Sequence, residues 1–151
     1  MTMRLSLAAA VLTAATVMTL GPVAAADAAP KAQLMVIHAT KCAEKKVDPA
    51  IGEAPPAIGY DCMQLLEKKT LSLVQNQPST TGLPNGRTFQ LAYNGRAPDN
   101  RYRVTASISP PDKSPGFTKL ADITAEPNKP FNVGGFSYQG GVLVLAVRIS
   151  P

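Results

Sequence analysis

Three arginines are the side chains best suited to ligand binding in this sequence of 151 residues. Arg101 and Arg103 share one face of a predicted strand, and Arg87 begins the neighbouring predicted strand. A fourth arginine, Arg96, falls in the predicted connecting loop. Antiparallel pairing of these strands would gather them into a patch for an anionic partner, because a guanidinium binds carboxylates and phosphates through paired hydrogen bonds. The favoured alternative is the polar face of an exposed strand, where arginine discourages edge-to-edge aggregation.

Groups suited to catalysis are sparse. His38 is the only histidine, and the apolar run LMVIHAT around it contains no nucleophile motif, which favours a structural histidine. The ten acidic residues are scattered, nearly all of them over predicted loops, whereas glycoside hydrolysis needs two carboxyl groups set across one bond. Calcium-loop and phosphate-loop patterns are also missing from the sequence. We therefore predict no catalytic residue, no metal site and no cofactor.

The two cysteines, Cys42 and Cys62, predict a disulfide bond if the chain folds in an oxidising compartment. The segment between them contains three prolines and two glycines, so a covalent link would restrain a stretch with little order of its own. The alternatives are a metal pair, a catalytic thiol or two free thiols. A structural zinc ion needs four ligands, and His38 is the only histidine nearby.

The first 26 residues have the pattern of a cleavable secretory signal peptide. Arg4 supplies the positive charge, an uncharged apolar stretch follows over residues 5–20, and small residues lead to Ala26, after which we predict cleavage. Ala28 is the alternative cleavage position. An uncleaved membrane anchor is the competing interpretation, but the apolar run is shorter than the roughly 20 residues of a spanning helix and threonines interrupt it. The prediction is therefore a periplasmic or secreted protein.

Residues 27–151 are predicted to form a single domain, since 125 residues suffice for one hydrophobic core. Removing the signal segment leaves 14 basic and 10 acidic side chains, a net charge of +4. This mild, unclustered charge and the few aromatic residues argue against nucleic-acid binding. No second apolar run is long enough to span a membrane in the mature form.

Strand patterns separated by turn residues dominate the mature chain. The predicted strands are Gln33–Ala39, Leu65–Val74, Ser79–Leu83, Arg87–Tyr93, Arg101–Ser109, Phe117–Ala125, the pair Phe131–Val133 and Phe136–Tyr138 with a bulge between them, and Gly141–Ser150. The start of the second, LLEKK, also fits a helical turn. Pro84-Asn85-Gly86 predicts a hairpin, and the unbroken apolar run 142–147 predicts a central strand covered on both faces. The fold class is thus all-β, a single antiparallel β-sandwich or barrel of about seven or eight strands.

Three stretches carry a resemblance to other proteins: Lys69–Leu91, Arg101–Ile108 and Asn128–Ile149. They resemble small exported β-rich proteins of myxobacteria and related Gram-negative bacteria, over about the C-terminal two-thirds of the chain. The resemblance implies export and a β domain. It implies no activity and assigns no functional residue.

These observations favour an exported, non-enzymatic accessory or binding protein of the envelope or the extracellular space. Its expected partner is a protein of the envelope or secretion machinery, or an anionic envelope polymer. One alternative is an envelope-directed hydrolase whose site is built from dispersed loop acids. Another is a secreted inhibitor or effector that presents the proline-rich loop Ser109–Gly116.

Overall fold

The computed structural model describes residues 29–52 and 59–151, so the predicted signal peptide lies outside the described residues. These described residues form nine strands and one short 3-10 turn, Pro49–Ile51. The strands are β1 Lys31–Thr40, β2 Lys46–Val47, β3 Cys62–Ser72, β4 Ser79–Gly82, β5 Thr88–Arg96, β6 Tyr102–Ile108, β7 Thr118–Ala125, β8 Phe131–Tyr138 and β9 Gly141–Ser150. In this part of the chain, no helix has the length and apolar character needed to cross a membrane.

The strands form two sheets, ordered β2-β3-β1-β9-β8 and β4-β5-β6-β7. All pairs are antiparallel except the short β2–β3 pair. The last strand, β9, pairs with the first, β1, along almost the whole length of β1. The predicted all-β sandwich is confirmed. The helical alternative for LLEKK is wrong, since β3 runs through it and pairs with β1.

One hydrophobic core fills the space between the two sheets. Alternate side chains of β1 and β9, such as Leu34 and Leu145, meet Phe89, Tyr102 and Val104 of the four-stranded sheet. All five side chains are almost completely buried. On the last strand, β9, the side chains that enter this core are Leu143, Leu145, Val147 and Ile149, and all four are completely buried. Burial of large apolar side chains at roughly 25 cal/mol per Å² is the main stabilising contribution here.

A second, smaller core lies on the other face of the five-stranded sheet. It contains Ile37 of β1 and Val144 of β9, with Ile51 of the 3-10 turn and Met63 of β3. The prediction that the run 142–147 is covered on both faces is therefore confirmed. Strands buried on both faces lose the polar–apolar alternation of a half-exposed strand, which is why this run is uniformly apolar.

Two hairpins of the four-stranded sheet use the same three-residue loop. Leu83 and Arg87 close the first loop around Pro84-Asn85-Gly86, and Ala97 and Arg101 close the second. The predicted pairing of the first hairpin is confirmed. Only the third loop residue is left-handed, with φ of 80° at Gly86. Proline fixes φ near −65° at the first loop position. The positive φ angle therefore falls on the third loop residue, Gly86 or Asn100.

Glycines occupy two special positions in the hairpin of β8 and β9. The predicted bulge at Gly134-Gly135 is confirmed as a shift of register within one continuous strand, β8. Farther along, a Cβ placed on Gly141 would lie 2.2 Å from the carbonyl oxygen of Ala39 in β1. Backbone of a central strand cannot retreat as a flexible side chain can, so this position requires glycine.

We predict that Gly141→Ala lowers the free energy of unfolding by about 2 kcal/mol, the usual cost of overpacking a tight site. The matched control is Gly82→Ala, because no atom lies within 4 Å of a Cβ placed there. Urea unfolding followed by far-UV circular dichroism measures both variants. Equal midpoints for the two variants would contradict the close contact.

Candidate functional site

Arg87 lies at one end of the four-stranded sheet, just before β5. Its Nε donates to the carbonyl oxygen of Ser109 over 2.8 Å. Its guanidinium carbon lies 5.4 Å from the ring centre of Phe136, which belongs to β8 of the opposite sheet. Arg87 therefore links the two sheets at this end through a hydrogen bond and a cation–π contact.

Arg101 and Arg103 lie toward the other end of the hairpin, since β5 spans nine residues, or about 30 Å. The Arg101 guanidinium forms ion pairs with Asp99 at 3.0 Å and Glu126 at 3.2 Å. Arg103 is exposed, and within residues 29–52 and 59–151 it has no ion pair or side-chain hydrogen bond. The three arginines thus do not form one patch, and a ligand role for any of them stays a prediction.

Arg96, expected in a loop, is the last residue of β5. It donates to the Tyr102 hydroxyl over 2.8 Å and to the Asn100 side chain. Its guanidinium carbon lies 4.7 Å from the Tyr102 ring centre. Arg96 thereby satisfies the hydroxyl group of a fully buried tyrosine, which would otherwise cost free energy on burial.

The carboxyl group of Glu126 is part of this charged cluster. The Lys129 ammonium, through a hydrogen bond and its charge, and the Arg101 guanidinium hold the pKa of Glu126 below its ordinary value of 4.5. Asp99 acts in the opposite direction but does not cancel them. The arrangement holds Glu126 as a carboxylate.

The predicted disulfide between Cys42 and Cys62 is confirmed, with a Cα–Cα separation of 5.9 Å. It joins the segment that leaves β1 to the first residue of β3. Between the cysteines, Lys46 donates its backbone N–H to the carbonyl oxygen of Asp61 over 3.0 Å. This contact begins the short parallel strand β2, which the sequence did not predict.

Asp48 fastens the segment that follows β2. One carboxylate oxygen accepts from the backbone N–H of Ala50 over 3.0 Å, which caps the 3-10 turn. The other accepts from the backbone N–H of Leu65 in β3 over 3.3 Å. One side chain therefore fixes both the turn and its distance from the sheet, and so places Ile51 in the second core.

These contacts shape a half-open cleft of about 450 Å³, which we call the disulfide cleft. Its lining combines three sources, the end of β1, the β2 segment and the start of β3. The lining residues are His38, Thr40, Lys46, Val47, Asp48, Pro49, Cys62, Met63 and Gln64. A cleft with an apolar wall and a few convergent polar groups is the usual form of a small-ligand site.

His38 closes the inner side of the disulfide cleft. Its Nε2 lies 3.1 Å from the carbonyl oxygen of Tyr138, and its ring meets the Tyr138 ring edge-on at 5.2 Å between centres. When Nε2 donates to that carbonyl, Nδ1 is left as an acceptor. These contacts agree with a structural histidine, and they also fix the orientation of an imidazole that lines the cleft.

The lining of the cleft combines polar and apolar side chains. Thr40 and Gln64 supply hydrogen-bond donors and acceptors, while Val47 and Met63 supply apolar surface. The cleft holds one cationic side chain, that of Lys46, and one anionic side chain, that of Asp48. In the described part of the chain, no group of three or more His, Cys, Asp or Glu residues could hold a metal ion.

A second cleft, of about 480 Å³, lies at the opposite end of β1, and we call it the terminal cleft. Pro30 and the C-terminal Pro151 both line it, together with Tyr93 and Arg96. Both ends of the described chain therefore lie at the end of the sandwich remote from the disulfide.

Comparison of the chain with protein-family models, with curated proteins and with solved structures gives no match.

We predict that acid destabilises the protein partly through Glu126. A lowered folded-state pKa stabilises the native state above the ordinary value of 4.5, and this contribution is lost as the pH falls toward the folded-state value. The difference in urea midpoint between the wild type and Glu126→Gln should therefore shrink as the pH falls below 4.5. Glu44→Gln is the control, since no cation of the described residues pairs with Glu44. A pH-independent difference would contradict the prediction.

We also predict that removing the disulfide lowers the free energy of unfolding by about 3 kcal/mol, the value for a loop of this size. The double variant Cys42→Ser/Cys62→Ser should show the loss in urea unfolding. Dithiothreitol should lower the wild-type midpoint to that of the variant and leave the variant unchanged. An unchanged wild-type midpoint under complete reduction would contradict the stabilising role of the bond.

Proposed function

We propose that this chain is an exported, non-enzymatic binding module and that the disulfide cleft is its ligand site. The observation that carries the proposal is the construction of the cleft. A disulfide, a parallel strand pair and the hydrogen bond from Leu65 to Asp48 hold one short segment against β3, and the second hydrogen bond of Asp48 caps the turn within that segment. A site fixed in this way pays little ordering entropy when a ligand binds.

Export is supported by two independent features. The N-terminal 26 residues have the order of charge, apolar stretch and small residues typical of a signal peptide. The Cys42–Cys62 bond is of a kind that persists in the periplasm or outside the cell and is rare in the cytosol. The resemblance to small exported bacterial proteins points the same way.

The lining of the cleft indicates a ligand that is polar but carries no net charge. Lys46 and Asp48 balance each other, so the cleft does not favour an anion in the way that a cluster of arginines would. Thr40 and Gln64 match hydroxyl and amide groups, and Met63 offers an apolar surface. A sugar ring with an acetamido group, as part of an envelope polymer, has both kinds of surface.

The hydrolase alternative finds less support. A glycoside hydrolase needs one carboxyl group whose pKa is raised so that it can donate a proton. Hydrogen bonds from Lys119 and Thr105 lower the pKa of Asp122, and hydrogen bonds from Ser114 lower that of Asp112. Together with Glu126, these groups are held ionised and are suited to ion pairs.

The inhibitor alternative depends on the loop Ser109–Gly116. Ser109 anchors the base of the loop, because its hydroxyl accepts from the backbone N–H of Thr88 over 2.7 Å. Residues 111–116 are exposed beyond that anchor. The loop could thus reach a partner protein. The cleft at its base is smaller than the disulfide cleft, at about 280 Å³, and its charged side chains are Arg87 and Lys113.

The test is an NMR titration of the isotope-labelled, exported protein with a soluble N-acetylglucosamine oligosaccharide. We expect shifts confined to the cleft, at His38, Thr40 and Gln64. Gln64→Ala removes one exposed hydrogen-bonding group and should weaken binding roughly fivefold to tenfold. Gln90→Ala is the matched control, because it removes the same group from β5 on the other sheet.

Two results would contradict the proposal. One is the absence of shifts at saturating oligosaccharide in a protein shown to be folded. The other is a response centred on Arg103 to an anionic probe, polyglutamate, with none at the cleft for either probe. That second result would return the ligand site to the arginines of the four-stranded sheet.

A further inference from the structure

Every open sheet has margins whose backbone N–H and C=O groups lack partners, and such margins recruit other strands unless they are protected. One edge of the five-stranded sheet is formed by the short strand β2 and, beyond it, by β3, and the other edge is formed by β8. The four-stranded sheet ends at β4 and at β7. Three of these four margins carry recognisable protection.

The β2 margin is only two residues long, and beyond it β3 presents the charged run Glu67-Lys68-Lys69. The Lys69 ammonium also donates to the Thr81 hydroxyl and the Gly82 carbonyl oxygen of β4, both over 2.9 Å. These bonds join the β3 margin to β4, which itself has only four residues. Neither side of this corner offers a long free edge.

The β8 margin is interrupted at its middle. Gly134 and Gly135 adopt φ angles of 93° and 146°, so the strand is bulged and its edge groups are out of line. The Phe136 ring occupies the space beside Gly134. A second strand could therefore pair with only a few consecutive residues of β8.

The β7 margin differs from the other three. It is eight residues long, and within residues 29–52 and 59–151 no strand pairs with its outer side. Leu120 is exposed on it, and Phe117 is exposed immediately before it. These are two of the four large apolar side chains exposed in the described chain. Of the other two, Val47 lies in β2 and Val74 lies in the connection between β3 and β4. β7 is bulged as well, because its register against β6 shifts at Leu120. The extra residue is an exposed leucine here, whereas the bulge of β8 consists of two glycines without side chains.

The charges on β7 indicate which strand would fit. The Lys119 ammonium and the Asp122 carboxylate lie 2.8 Å apart, outside the sandwich. A second β7 that runs antiparallel and is centred on the midpoint between Leu120 and Ala121 brings the lysine of each strand toward the aspartate of the other. Cross-strand pairs of opposite charge favour pairing, and like charges oppose it. A parallel copy would place lysine beside lysine.

We propose that two copies of this chain associate through antiparallel pairing of β7 with β7, which joins the two four-stranded sheets into one of eight strands. Each copy contributes the same edge, as a two-fold interface requires. The apolar side chains of Phe117 and Leu120 then bury against the partner copy. The inference does not depend on the proposed function, since the disulfide cleft lies on the other sheet.

The test measures molar mass by sedimentation velocity over a dilution series of the exported protein. We expect a monomer–dimer equilibrium. Lys119→Asp places like charges across the interface at two symmetric positions and should raise the dissociation constant at least roughly tenfold. The swapped double variant Lys119→Asp/Asp122→Lys should restore the dimer. Val74→Lys, an exposed apolar position elsewhere, is the control and should leave association unchanged.

Hydrogen exchange identifies the interface directly. The backbone amides of residues 118–125 should exchange more slowly at high protein concentration than at low concentration, while β8 shows no such dependence. A protein that is monomeric at every concentration would overturn the inference. So would a dimer whose protected amides lie outside β7, or one that is equally stable in the wild type and Lys119→Asp.

Discussion

The pairing of β1 with β9 is the interaction on which the rest of the structure depends. It joins the beginning of the described chain to its end along nine consecutive residue pairs. Both strands bury side chains on both faces, so the pair belongs at once to the core between the sheets and to the smaller core beneath the 3-10 turn. The other strands follow in chain order around this closure. Such sequence-distant pairing costs loop-closure entropy before its contacts form, which makes it the expected late step of folding.

The sequence was informative where one local rule decided the structure. The strand pattern of Arg101–Ser109 predicted β6, and Pro84-Asn85-Gly86 predicted the hairpin of β4 and β5, because side-chain period and turn chemistry are local properties. It was uninformative at LLEKK, where both faces of β3 carry mixed residues and only pairing with β1 selects the strand. The order of strands in each sheet likewise depends on contacts between residues far apart in sequence.

The candidate site shows the same division. The disulfide could be predicted from compartment and cysteine count, and it formed as expected. The arginine patch was a weaker inference, because alternation fixes the face of a side chain but not its position along the strand. Arg87 and Arg101 consequently lie at opposite ends of one hairpin. The cleft itself was missed, although Asp48-Pro49 is a recognisable start of a helical turn and was its one local signal.

The position of Pro30 and Pro151 together, at the end remote from the disulfide, has a practical geometric consequence. β1 crosses the whole sandwich, about 33 Å, between the end where the chain enters and the cleft that contains His38 and Thr40. A tether attached at either end of the described chain would join the sandwich at the end opposite the cleft. The cleft would then face away from the surface to which the protein is attached. Immobilisation through either end should thus leave the same face open to the medium.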